Sequence, residues 1–207
     1  MDSFVLLIVI ALVVSGINAQ QQRQRIALLG RALKPYQVEQ LMASLIEGYL
    51  RAMGEQDAER RAQVLGLQQA SEVQLSEQFE RLVADFRRTP AAQARVSRLP
   101  ISLPFVPRLF PAACFDMRAL LAIHGEGIAR AARNDLQLNA RDRAFMMTAE
   151  LLLMQHSCHW FCKSFSVASA RVLARHQTHY AQIVESVSPQ TRRAYLALVA
   201  PGRKSTP

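Results

Sequence analysis

The residues with the strongest claim to chemistry lie close together: His156, Cys158, His159 and Cys162, with Trp160 and Phe161 among them. On a helix Cys158 and Cys162 stand one turn apart and His159 falls three residues before Cys162, so these three share a face while His156 projects elsewhere. Two thiolates and an imidazole on one face would suit Zn²⁺ or Cu(I), with His124, Cys114 or a nearby methionine as a fourth ligand. The spacing matches neither a CxxC pair nor a zinc finger. A plainer reading makes Cys158 and Cys162 small buried apolar residues between core aromatics, and His159 a boundary histidine. Export to an oxidising compartment would offer a further use, a disulfide formed with Cys114.

Catalytic signatures are missing from the rest of the chain. It holds no phosphate-cradling glycine loop, no G-x-S-x-G elbow and no H-E-x-x-H helix, so neither an enzyme nor a resident cofactor is expected. His124 falls on an apolar helical stripe and reads as a core histidine. Glu150 stands within an apolar helix and needs a partner if buried, for which Arg141 or Arg143 would serve. His176 and His179 fall near a helix end, where they would answer the C-terminal dipole.

Charge is distributed unevenly. Residues 1–89 carry ten acidic and ten basic side chains, whereas residues 90–207 carry six acidic and fifteen basic ones, so the net +9 belongs to the C-terminal part. Arg130, Arg133, Arg141 and Arg143 bracket one inter-helix turn and suggest a basic corner. Anionic lipid headgroups would attract such a surface, at about 1 kcal/mol per basic residue close to the membrane. Nucleic acid is not an expected partner, because the arginines are interleaved neither with aromatics nor with a helix-turn-helix. Only three of the 25 basic residues are lysines, a bias that fits a GC-rich bacterial genome.

The elements that must position these residues are helical, and the expected fold class is all-α. Residues 4–14 are an unbroken apolar run that extends through Ala19. The 16 residues from 4 to 19 would span roughly 24 Å as a helix, against about 30 Å for a bilayer core. That length also suits a signal peptide, with Ile17-Asn18-Ala19 as a cleavage site. The flanks favour an anchor, since Asp2 precedes the run and Arg23, Arg25, Arg31 and Lys34 follow it. Basic flanks stay on the cytoplasmic side, which puts the bulk of the chain in the cytoplasm. Signal cleavage would instead put it in the periplasm.

After this segment, residues 20–89 read as a helical hairpin. Val38, Leu41, Met42, Leu45, Ile46, Tyr49, Leu50 and Met53 paint one apolar face, and Gly54 ends that helix. A second helix is expected over residues 57–88, with Ser71 and Gln74 as a capping box if it restarts there. Residues 90–112 form an apolar Pro-rich connector with prolines at 90, 100, 104, 107 and 111, which should lie in a groove, on a partner or against the membrane interface. Residues 113–200 complete the bundle. Asp116 caps a helix to about Arg133, Asn139 caps another through Cys162, helix resumes over residues 167–187, and Ser188-Pro189 starts the last. Residues 201–207 read as a frayed tail.

Together these features predict an N-terminal membrane-anchor helix followed by a bundle of about five helices. The expected role is a non-enzymatic scaffold or adaptor at a bacterial inner membrane, contacting partner proteins or anionic lipid. The alternative is an exported helical protein that uses Cys158, His159 and Cys162 for metal, or forms a disulfide.

Overall fold

The computed structural model describes residues 2–200, and the fold is all-α; the expected tail at 201–207 lies outside these residues. Helix α1 (Asp2–Leu33) does not stop where the apolar run ends. It continues without a break past Ala19 into the helical body, and a short turn carrying Pro35 follows it. An 18-residue window within Ser3–Leu33 has a mean hydropathy of 2.2, and none of it is buried. From Leu28 onward α1 turns apolar side chains into the core, with Leu29 almost fully buried.

The hairpin is formed by α2 (Val38–Gly54) and the pair α3 (Ala58–Leu67) and α4 (Gln69–Phe86). Asp57 caps α3 by accepting from the Glu59 and Arg60 amides. The expected single second helix is broken at Gln68 rather than restarted at Ser71, which lies inside α4. A Cβ added to Gly48 would come within 2.6 Å of the Gln68 side chain. The break therefore sits where the Gln68 side chain lies over the bare Gly48 of α2.

The Pro-rich connector holds the only strands among the described residues. Following the single turn α5 (Ala91–Ala94), β1 (Arg95–Ser97) pairs antiparallel with β2 (Cys114–Asp116), Val96 opposite Phe115. Three residues per strand are too few to show alternation, and the ribbon closes the loop between them at its base. That loop contains the short turn α6 (Val106–Leu109) and a 3₁₀ turn at Pro111–Ala113. Arg98 fastens the ribbon to the far terminus of the chain by donating to the Leu198 and Val199 carbonyls at 3.0 and 3.1 Å.

The remaining helices start where their caps lie. Helix α7 (Met117–Arg133) is capped by Asp116 and α8 (Ala140–Cys162) by Asn139, which accepts from the Asp142 amide at 3.0 Å. The stretch expected to run over residues 167–187 is two helices, α9 (Phe165–His176) and α10 (Tyr180–Ser186). They are parted at Gln177, whose φ of 52° ends α9 in the left-handed region. Helix α11 (Pro189–Val199) follows Ser188, its N-cap. α8 is the central helix, buried nearly all round, and one apolar core joins it to α2, α4, α7, α9 and α10.

Candidate functional site

The structure does not gather Cys158, His159 and Cys162 into a ligand set. Among the described residues, no group of three or more His, Cys, Asp and Glu side chains is placed to hold a metal ion. Cys158 is half-buried, and its thiol points at the Met154 sulfur 3.8 Å away. Burial pushes the Cys158 thiol up well above its ordinary range and pushes Cys162 up to about 11. Both therefore stay protonated near neutral pH in the metal-free chain. His159 is held below the usual histidine range, first by burial and then by Arg171 and Arg175. Cys114 is buried, and all three cysteines are free thiols. These positions follow the plainer expectation of part-buried packing residues.

His156 lies on the other flank of α8, as expected. It bonds Ser169 Oγ at 3.0 Å and packs within rings from Trp160, Phe165 and Tyr180, the nearest centroid 4.6 Å away. His124 is fully buried, 2.8 Å from Ser157 Oγ, and that hydroxyl donates onward to the Leu153 carbonyl. Burial lowers His124 to about 3 and His156 to about 4, so both rings are neutral. A serine whose proton is committed to the backbone, beneath a buried ring, is packing rather than an accessible nucleophile.

Two buried carboxylates correct the expected pairing. Glu150 does not meet Arg141 or Arg143. It accepts from the Ser188 amide at 3.0 Å, at the start of α11, in the space that Gly127 leaves by lacking a side chain. Desolvation raises its pKa, against the pull of those hydrogen bonds and of Arg130. Arg143 instead pairs with Glu72 of α4 at 3.2 Å, and the Tyr49 hydroxyl donates to the same carboxylate at 2.7 Å.

The basic corner is largely spoken for. Arg130 meets Glu126 at 3.7 Å, Arg133 meets Asp135 at 3.1 Å, and Arg143 is committed to Glu72, which leaves Arg141 as the one of the four without an ion pair among the described residues. Arg141 lines an open groove of about 740 Å³ with Arg61 and Arg175, above the apolar side chains of Leu50, Met53 and Phe145. This groove lies along the N-terminal half of α8, from Arg141 to Leu152, roughly 15 to 32 Å of helix before Cys162.

At that other end of α8 the structure builds a joint that sequence spacing alone does not suggest. Asn18 of α1 donates from Nδ2 to the Ser102 carbonyl at 3.1 Å, and Ser102 Oγ donates to Asn18 Oδ1 at 2.7 Å. One turn on, Lys163 donates to Gln22 at 2.9 Å. Arg25 then donates to the Phe161 and Arg95 carbonyls at 3.3 and 3.2 Å, with its guanidinium over the Phe161 ring. Phe161 lies in the last turn of α8, where carbonyls lack helical partners and favour positive charge, a position Arg25 fills. The Trp160 indole donates to the Ser97 carbonyl at 2.9 Å, tying ribbon to helix. Polar groups of α1, the connector and α8 thus meet in one continuous set. Comparison with protein-family models, with curated proteins and with solved structures finds no match for this chain.

Proposed function

We propose that the protein is a non-enzymatic scaffold or adaptor anchored in a bacterial inner membrane by a single span in α1, with its helical body in the cytoplasm. The observation that carries this reading is α1 itself: one uninterrupted helix is bare and apolar in its first half and fastened to the body in its second. A cleaved leader has no need of such fastening, because its removal would discard Asn18, the first residue in the joint. The basic residues that follow the span, with Asp2 before it, favour the cytoplasmic side for the body. The partner-protein part of the reading is supported by the groove along the N-terminal half of α8, where exposed Leu50 and Phe145 lie beneath Arg61, Arg141 and Arg175.

Fractionation of host cells with an intact mass tests it. The expected result is a chain in the washed membrane pellet that retains residues 1–19. A soluble chain beginning at Gln20 would overturn the anchor, and turnover of a substrate by the purified protein would overturn the non-enzymatic role.

A further inference from the structure

We infer that the tip of the Pro-rich connector, Ile101 to Leu103, is a second membrane contact, entering the interfacial zone of the leaflet from which α1 emerges. This rests on the reading of α1 as a span. Its starting point is the height at which the loop is held. The apolar run of α1 covers residues 4–19, whose midpoint lies near Leu12. A bilayer core of about 30 Å centred there reaches roughly ten helical residues further, to about Gln21 or Gln22. Asn18 falls short of that boundary by about 5 Å of helix, on the hydrocarbon side. Ser102 is hydrogen-bonded to Asn18 through both its backbone carbonyl and its hydroxyl, so the loop tip cannot stand in bulk water while α1 spans.

The loop's chemistry fits that position. Ile101 and Leu103 flank Ser102 and are 57% and 43% exposed, apolar area that has no cover in the protein. Within a bilayer the unsatisfied polar group is the costly one. Asn18 and Ser102 satisfy one another, whereas the Ile101, Ser102 and Leu103 amides have no partner among the described residues, which keeps the tip in the hydrated interface and out of the hydrocarbon core. Asn18, the amide side chain within the apolar run, has both its polar atoms in bonds to Ser102. The Pro100 carbonyl accepts from the Ser166 amide at 3.0 Å, and Pro100 and Pro104 bring no N–H that would need a partner. The charges sit lower. Phe105, Pro107 and Arg108 line a cleft with Gln24, Arg25 and Arg31 of α1, one to three turns further from the run. The connector thus lies along α1 with Ile101 and Leu103 beside the end of the run and Arg108 further from it beside Arg25 and Arg31, a placement suited to an interfacial segment.

The same arrangement gives α1 a remedy for its short length. A span of about 24 Å within a core of about 30 Å must thin the bilayer or be supplemented at one end. Ile101 and Leu103 supply apolar surface beside the end where the run gives out.

The test uses the full chain in vesicles of phosphatidylcholine and phosphatidylglycerol, with single added tryptophans at Ile101→Trp, Leu103→Trp, Val9→Trp and Phe145→Trp. The native Trp160 is buried, and the unsubstituted protein supplies its background. Quenching is read with lipids brominated near the headgroup or deep in the chain, and circular dichroism checks that each variant keeps its helix. The expected result is deep quenching at position 9, shallow quenching at 101 and 103 of at least twofold over background, and none at 145. If position 9 is quenched while 101 and 103 match 145, the loop contact is wrong and the anchor stands. If position 9 is not quenched, the anchor itself fails and takes the loop contact with it.

Discussion

At its N-terminal end α8 presents Arg143 to the buried carboxylate of Glu72, 3.2 Å away, whereas at its C-terminal end it receives Arg25 of α1 on the neutral carbonyl of Phe161. No carboxylate pairs with Arg25 among the described residues. The two arginines therefore differ in what their loss leaves behind. Without Arg143 a buried charge is stranded beneath Tyr49. Without Arg25 two carbonyls at an element's end are freed, and water can reach them. The first arginine belongs to the stability of the body. The second belongs to the attachment of α1 and the connector to that body, so the seating of α1 and fold stability are open to separate attack.

The largest effect follows from Arg143→Met, which should cost about 3–5 kcal/mol in urea unfolding of the detergent-solubilised protein, as expected for one partner of a buried pair. A loss under about 1 kcal/mol would erase the contrast between the two ends. Acid should strike next at the histidines buried on either side of α8, His124 of α7 and His156 of α8 itself. His124 and His156 are held neutral with pKa values near 3 and 4, against 6.5 when unfolded, so below pH 6.5 the unfolded chain takes up protons that the folded chain refuses. Their contribution is complete above pH 7 and is lost as pH falls from about 6.5 toward 4, by about 1.4 kcal/mol per pH unit for each ring. Glu150, whose pKa is raised, works in the opposite sense, losing stability as pH rises through and above the ordinary carboxylate range. Unfolding midpoints at pH 7, 6 and 5 check this, and a flat profile contradicts the neutral buried rings.

Gly127→Ala should cost about 1–3 kcal/mol, because its Cβ would lie 2.3 Å from Glu150 Oε2 and the carboxylate must leave the α11 cap. Arg25→Gln should cost only about 1 kcal/mol of global stability, as for an ordinary hydrogen-bonding group whose acceptors can rehydrate. Its signature is local: hydrogen exchange should rise in residues 98–105 and in the second half of α1 while α4 and α7 keep their protection. Arg51→Ala, an exposed residue paired with Glu47 on one helix face, should change stability by less than about 0.5 kcal/mol.

Local signals in the sequence located the ends of this fold well. Asp116, Asn139 and Ser188 each cap the helix expected of them, because an N-cap is a contact made within three residues. What the sequence concealed depends on distant partners. The break at Gln68 lies opposite Gly48 of a different helix, the two three-residue strands are too short for a period, and Asn18 meets Ser102 across 84 positions. The partner of Glu150 was misjudged for the same reason, since an arginine nearby in sequence lost to an amide on a different helix. The Cys/His cluster shows the reverse: side chains close in sequence suggest a ligand set or simple packing, and among the described residues no three of them are placed to hold a metal. The residues that form the joint between α1 and the body, Arg25 above all, looked in the sequence like ordinary flanking charge.

The claim on which the rest depends is that α1 leaves the membrane as one helix already docked on the connector. A short bifunctional thiol reagent applied to Asn18→Cys/Ser102→Cys in native membranes tests it most directly. With the native Cys114, Cys158 and Cys162 first replaced by alanine, efficient intramolecular cross-linking is expected, abolished in either single variant and sharply reduced when a flexible Gly-Ser insertion separates Asn18 from Arg25. Cross-linking no greater than for a control pair at Asn18 and Phe145 would contradict it, leaving α1 a free tether rather than part of the body.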